Sequence, residues 1–239
     1  LHKNIKKISI IKKKFWINLM KKELKKRIVT SFFLLSLLLI MFNYIYVLIL
    51  SLIIVAIISW IEFYALISKI IRKNNHKDKL LRFCYKAISL FFLLSLVYLI
   101  IFITLENPAL EIIIIYSVLI SIMSDVGGLI VGKVFRGKKL TKISPNKTVS
   151  GSIGSFLFSL FLIPFFLEYL TIQSIIELTI ITILISLSSQ IGDLMISLLK
   201  RKAKVKNTSD LLPGHGGVLD RIDGMIFSIP CGLMLFNFI

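Results

Sequence analysis

Apolar runs dominate the chain from residue 28 onward, and polar positions between them are gathered into short connections. The pattern predicts spans near 28–43 and 45–68, separated only by Asn43 and Tyr44, and a third over about 87–104. A fourth runs from about 109 into Asp125 and on through "VGGLIVG", with further spans near 152–167, 178–196 and 224–239. Runs this long with so few charges read as membrane helices. They lack the period-two alternation of lipid-facing barrel strands, and a backbone in lipid must satisfy its own hydrogen bonds. The fold class is therefore an all-α, polytopic integral membrane helical bundle of about seven transmembrane helices. Residues 28–239 read as a single membrane-embedded catalytic domain after a basic leader over 1–27. Met20 begins "MKKELKKRIVTSFFLL", a normal start for an inner-membrane protein, so residues 1–19 are expected to be an upstream extension.

Composition agrees with this pattern: 56% of the 239 residues are hydrophobic, and the mean hydropathy is +0.89. The net charge of +18 would suit nucleic acid, but its distribution argues against such a partner. Basic residues crowd the leader and the connections 69–86, 133–151 and 197–223, while Glu106, Glu111, Glu168 and Glu177 occupy the alternate ones. With the leader in the cytoplasm, seven spans place every basic connection inside and the C-terminal end outside. The expectation is a multi-pass protein of the cell inner membrane, with its catalytic loops facing the cytoplasm. Cys84 lies in a basic connection and Cys231 in the last apolar run, which suggests neither a disulfide nor a metal cluster. The first apolar run lacks a small-residue cleavage site and leads straight into another, so no cleavable signal is expected.

Chemistry concentrates where the inner connections meet the helices. Gln190, Asp193, Ser197 and Lys200 recur at i, i+3, i+7 and i+10 and share one face of the sixth span. Asp220 and Asp223 share a face where the last span starts, and Ser121 and Asp125 share one on the fourth. Gly128 and Gly132 extend the latter stripe with small residues that permit close helix packing. Carboxylates converging at a membrane boundary suit a hard divalent cation such as Mg²⁺, which completes its shell with water and substrate phosphate. Lys142, Lys147, Lys200, Arg201, Lys206 and Arg221 would neutralise phosphate oxygens. The turn Pro213-Gly214-His215-Gly216-Gly217 lets backbone N–H groups approach an anion. These residues together suggest a metal-assisted phosphate site.

Blander readings stand beside this one. Asp220, Arg221 and Asp223 would also make an interfacial ion-pair network, Lys202 and Lys204 read as topology anchors, and His215 alone reads as a hydrogen-bonded structural histidine. Glu62, in "SWIEFYAL", reads as a marker of the inner boundary of the second span. "GGLIVGKV", residues 127–134, imitates the spacing of a phosphate-binding P-loop but lacks its Ser or Thr and continues an apolar helix.

"PGHGGVLDRID" (213–223), with Lys200-Arg201 and Lys206 before it, closely resembles the signature of the phosphatidate cytidylyltransferases, also called CDP-diacylglycerol synthases. "GDLMISLLKR", "SPNKTVSG", "SWIEFYAL" and the opening "MKKELKKRIVTSF" are similar to other blocks of that family, so the resemblance runs from about Met20 onward. Asn207 and Ser150 stand where the family usually has Asp and Glu. The resemblance implies condensation of CTP with phosphatidic acid to CDP-diacylglycerol and diphosphate, with Mg²⁺ and room for a second cation. It implies Asp193, Asp220 and Asp223 as metal and phosphate-site acids, with Asp125 as a further candidate ligand. It implies Lys200, Arg201 and Arg221 as phosphate clamps, and Ser144, Lys147 and Thr148 as part of the nucleotide-binding loop. Ser197, Lys206, Gly216 and Gly217 are expected to bind substrate, and His215 falls in the same catalytic block. Partners implied are CTP, phosphatidic acid, the lipid bilayer and, from the glycine-lined helix faces, a possible homodimer. Alternatives are a CTP-dependent transferase or kinase for another membrane lipid, such as an isoprenoid ether lipid phosphate or a polyprenol, and a non-catalytic membrane protein or transporter.

Overall fold

The computed structural model describes residues 24–237, apart from 27, 35, 38, 42, 73–74, 142–143, 145–146 and 171–173. Most of the basic leader, including the extension expected over 1–19, and the candidate cation Lys142 lie outside the described residues. Described residues between 24 and 41 are helical and are called α1. After them come α2 (Ile45–Ile70), α3 (His76–Glu106), α4 (Pro108–Phe135), α5 (Val149–Leu160), α6 (Ile163–Phe166), α7 (Ile175–Lys202), α8 (Leu219–Ile222) and α9 (Met225–Asn237). No strand occurs among the described residues, so the chain is an all-α membrane bundle. Five stretches are long and apolar enough to cross a bilayer: Ile45–Ile70, His76–Glu106, Leu110–Phe135, Val149–Phe166 and Ile175–Lys202. They match the second to sixth expected spans. The first expected span includes residues that are not described. The last is represented by α9, whose 13 residues reach only about 20 Å at 1.5 Å per residue.

One boundary differs from the sequence expectation. Residues 76–86 were expected in a basic connection, yet they form the first turns of α3. Lys and Arg are good helix formers, and long side chains can lie along an apolar surface with the charge outside it. Lys86 does this, its ammonium 5.0 Å from the Trp60 ring centroid and 4.8 Å from that of Tyr64. "GGLIVGKV" is helical throughout, within α4, as its apolar continuation required.

The centre of the bundle is held by small and hydroxylated side chains as much as by aliphatic ones. A Cβ on Gly151 would fall 2.8 Å from the Gly128 carbonyl, and one on Gly154 would fall 2.7 Å from the Gly127 carbonyl, so α4 and α5 pack backbone to backbone. Ser121 and Ser189 hydroxyls meet at 2.9 Å, and Ser159 donates to Ser186 at 3.0 Å, joining α4, α5 and α7. Tyr116 and Thr182 hydroxyls meet at 2.6 Å among buried Ile120, Leu178 and Ile185. Interhelical bonds of this kind hold helices where apolar burial alone gives lipid-soluble faces little preference. The same close packing brings the C-terminal end of α4, the N-terminal end of α5, the end of α7 and α8 together at one end of the bundle.

Candidate active site

A cavity of about 730 Å³ opens at that end. Asp125 lines it from α4, Asp193 and Lys200 from α7, Asp220 and Arg221 from α8, Asp223 from the turn after α8, and Lys147 from the loop before α5. Gln190, Asp193, Ser197 and Lys200 all face it, as their spacing on one helix face required. Ser144, Lys147 and Thr148 supply a wall. Their loop is shaped by a reversal in which Leu140 N–H donates to the Lys147 carbonyl at 2.8 Å. Thr148 then caps α5, accepting from Gly151 N–H at 3.0 Å. Ser150 ties this loop to the end of α4, accepting from Gly137 N–H at 3.2 Å.

Asp223 owes its position to Gly192, the residue before Asp193. A Cβ on Gly192 would lie 2.5 Å from the Asp223 carbonyl oxygen and 2.6 Å from the Phe227 ring. Only a glycine lets the two acid-bearing segments cross so closely. Asp193 is paired with Lys147 and accepts from Ser197 at 3.3 Å. Asp223 is 6% exposed and, among the described residues, is hydrogen-bonded only by the N–H of Gly224. Burial, then the facing charges of Asp193 and Asp125, push the Asp223 carboxyl up to about 8, against partial relief from Lys200. Such a group gains strongly from a bound cation. Among the described residues no three His, Cys, Asp or Glu side chains are already gathered to hold a metal. Mg²⁺ asks for less, since one or two carboxylates suffice when water and phosphate complete its shell. The donor set of Asp193 and Asp223, with Asp125 beside them, fits that ion.

Asp220 has a different environment from the other sequence-selected acids. Lys200 donates to its Oδ1 at 2.6 Å, and the N–H groups of Thr208 and Gly217 donate to its Oδ2 at 2.9 and 3.1 Å. Burial alone would raise its carboxyl, but Lys200 and these donors hold it below the usual carboxylate range. Asp220 thus fastens the loop after α7 to the start of α8. Arg221 donates to the His215 carbonyl at 2.8 Å. Arg201 is exposed and lies outside this cavity, and Gly217 is packed behind it against Thr208 and Glu62.

Glu62 corrects the reading that it only marks a helix boundary. It is 4% exposed. Ser209 donates to its Oε1 at 2.5 Å, and the N–H groups of Val218 and Leu219 donate at 3.1 and 2.8 Å. The Thr208 hydroxyl lies 2.8 Å from Glu62 and 3.0 Å from Asp220, and its single proton serves one or the other. Glu62 therefore pins the loop and the first turn of α8 to α2. The signal was an acid in an apolar helix, which defaults to a functional role in a membrane; its partners, 146 to 157 residues away, were not legible.

The signature residues divide between two cavities. Lys206, His215 and Gly216 line a second one of about 610 Å³, which shares Asn207 and Arg221 with the first. The hairpin that separates them closes through Leu212 N–H to the Gly216 carbonyl at 2.8 Å. Gly216 has φ +85°, and a Cβ there would sit 3.0 Å from Asp220 Oδ2.

Comparison with known proteins bears on this site. A family model described as the cytidylyltransferase family matches residues 6–239. Similar curated proteins carry the name phosphatidate cytidylyltransferase. The one from Staphylococcus haemolyticus is 40% identical over 122 residues, covering 49% of this chain and 46% of the relative. The one from Bacillus subtilis is 42% identical over 118 residues, covering 48% and 44%. The one from Helicobacter pylori is 32% identical over 192 residues, covering 74% and 69%. The chain thus spans about half the length of the first two relatives and about two thirds of the third.

Proposed function

The chain belongs to the cytidylyltransferase family, and on that premise we propose that it transfers a cytidylyl group from CTP to phosphatidate, yielding CDP-diacylglycerol and diphosphate. The observation that carries the reading is a single cavity in which Asp125, Asp193, Asp220 and Asp223 line the same space as Lys147, Lys200 and Arg221. Triphosphate transfer needs both: acids to hold a divalent cation, and bases to hold phosphate oxygens. The similar proteins named phosphatidate cytidylyltransferase support the choice of acceptor. The basic connections support an active site facing the cytoplasm of the inner membrane.

In the reaction an oxygen of the phosphatidate monoester forms a bond to the α-phosphorus of CTP. The bond from that phosphorus to the α,β-bridging oxygen breaks, and diphosphate leaves with the electron pair. A phosphate monoester is already anionic near neutral pH, so the site needs no strong general base. Asp193 and Asp223, with Asp125 near them, would hold Mg²⁺, which supplies Lewis acidity and neutralises the leaving group. Lys147 shares its charge between Asp193 and the triphosphate. Ser144 and Thr148 orient the nucleotide beside it. Lys200 is held by Asp220 on the cavity wall, where it would take charge from the leaving diphosphate, and Arg221 borders both cavities. Positioning and preorganised charge supply most of the acceleration. The uncharged, mutually bonded serines at mid-bundle support an enzyme over an ion pathway.

The test is label transfer from CTP into the organic phase by protein purified in detergent, given phosphatidic acid and Mg²⁺. Label enters lipid with wild type, and not with Asp223→Asn or after EDTA. Folded, CTP-binding protein that labels a polyprenol or an ether-lipid phosphate instead of phosphatidate would overturn the acceptor. Protein that binds no CTP would overturn the reading.

A further inference from the structure

The second cavity has a composition unlike the first. Lys26 of α1 and Lys206, His215 and Arg221 line it, with Asp210 the one carboxylate among its lining residues. It is therefore basic where the first cavity is mixed, which suits an anion that brings no cation of its own. His215 adds polar capacity: its Nδ1 is buried without a partner among the described residues, while Nε2 lies 3.4 Å from the Ser31 hydroxyl.

Lys26 reaches it from α1, and that helix has two faces. Thr30 is 9% exposed and its hydroxyl lies 2.9 and 3.0 Å from the carbonyls of Lys26 and Pro213, its single proton serving one or the other, so the polar face lies on the hairpin. Val29, Phe32 and Phe33, beside it in sequence, are 60%, 74% and 63% exposed. In a membrane protein that surface meets acyl chains. A basic cavity under a lipid-facing helix can seat a headgroup while its tails stay in the bilayer.

We propose that the cavity between α1 and the 212–216 hairpin seats the phosphate monoester of the acceptor lipid, with Lys26, Lys206 and His215 as its binding groups and Arg221 reaching both substrates. This rests on the proposed reaction and assigns its second substrate a place. Arg221 and Asn207 border both cavities, so a phosphate here adjoins the triphosphate there. The arrangement also gives the fold-back at Gly216 a purpose: it sets Lys206 and His215 on the lipid side while Arg221 borders both cavities.

The experiment uses the full chain in detergent and takes two readings: the apparent affinity for short-chain phosphatidate by thermal shift, and KM for each substrate by label transfer. Lys26→Gln and Lys206→Gln, on separate elements, are each expected to weaken phosphatidate about tenfold in both readings and leave KM for CTP within about twofold. Lys147→Gln should do the reverse. The same variants weakening CTP instead, or changing neither substrate, would overturn the proposal. Inorganic phosphate or glycerol 3-phosphate stabilising wild type as strongly as phosphatidate would also overturn it, in favour of a soluble phosphate site. If wild type binds phosphatidate through Lys26 and Lys206 but transfers no label, the reaction fails and the headgroup site stands.

Discussion

Two sets of acids lie within one end of this bundle, and they are treated in opposite ways. Glu62 and Asp220 are surrounded by donors: two hydroxyls, backbone N–H groups and, for Asp220, the Lys200 ammonium. Asp223 has one N–H and two facing carboxylates, Asp125 has no hydrogen bond among the described residues, and Asp193 shares Lys147. A buried carboxylate whose lone pairs are filled by protein is finished as a structural element. One that is left facing its own kind suits the proposed cation. The first set holds the loop in place; the second set is what the loop is held in place for.

The comparison breaks most visibly at Asp223. Asp223→Asn should lower cytidylyl transfer by at least about 10³-fold, measured as label entering lipid, because it removes a cation ligand. It should not destabilise the cation-free protein. The wild-type carboxyl is raised from 3.8 to about 8, so the stability it contributes is full below about 4 and is lost as pH rises through about 8. Asn does not titrate, so thermal melts without divalent cation should show the variant level with wild type near pH 4 and progressively more stable as pH rises to about 8, with no further divergence above that. A melt showing strong destabilisation at pH 6 would put Asp223 in the first set.

Glu62→Gln should show the opposite pattern. The amide has one acceptor oxygen and sets its own N–H groups against donors, leaving several of them unsatisfied at a cost of about 2–4 kcal/mol. Melting temperature should fall clearly, and activity should fall about 10- to 100-fold through loss of loop geometry. Excess Mg²⁺ should not restore it. Wild-type melting would show that the loop is anchored elsewhere.

Gly192→Ala tests the same crossing. Its methyl group meets the Asp223 carbonyl and the Phe227 ring, so the segments must part: the melting temperature should fall and Mg²⁺ should bind more weakly. Smallest is the acid response of the loop. Asp220 is lowered from 3.8, so its contribution is present above that pH and is lost as pH falls through the lower folded value. Proteolysis within 203–218 should stay constant from pH 7 to pH 5 and rise only below the ordinary carboxylate range.

Local patterns made much of this legible. The spacing of Gln190, Asp193, Ser197 and Lys200 placed four side chains on one cavity, because a helix converts spacing into a face without help from elsewhere. The glycines of α4 announced a close crossing, and α5 supplied it. Other features depend on distant partners. The difference between Asp220 and Asp223, three residues apart and both acidic, lies in Lys200, Thr208, Asp193 and Asp125, none of them neighbours in the chain. Glu62 looked like a boundary mark because its donors arrive after five more helices. The start of α3 at His76 was hidden because lysines between spans read as a loop, whereas their helix propensity and the Trp60 and Tyr64 rings favour continuation.

The most direct measurement is binding of Mn²⁺, in place of Mg²⁺, to purified protein with CTP present, followed by electron paramagnetic resonance. Wild type and Glu62→Gln should both immobilise the ion, the latter no more than a few-fold more weakly, while Asp223→Asn and Asp193→Asn should lose it. Equal binding by wild type and both aspartate variants would contradict the central claim that these unsatisfied acids are the cation site.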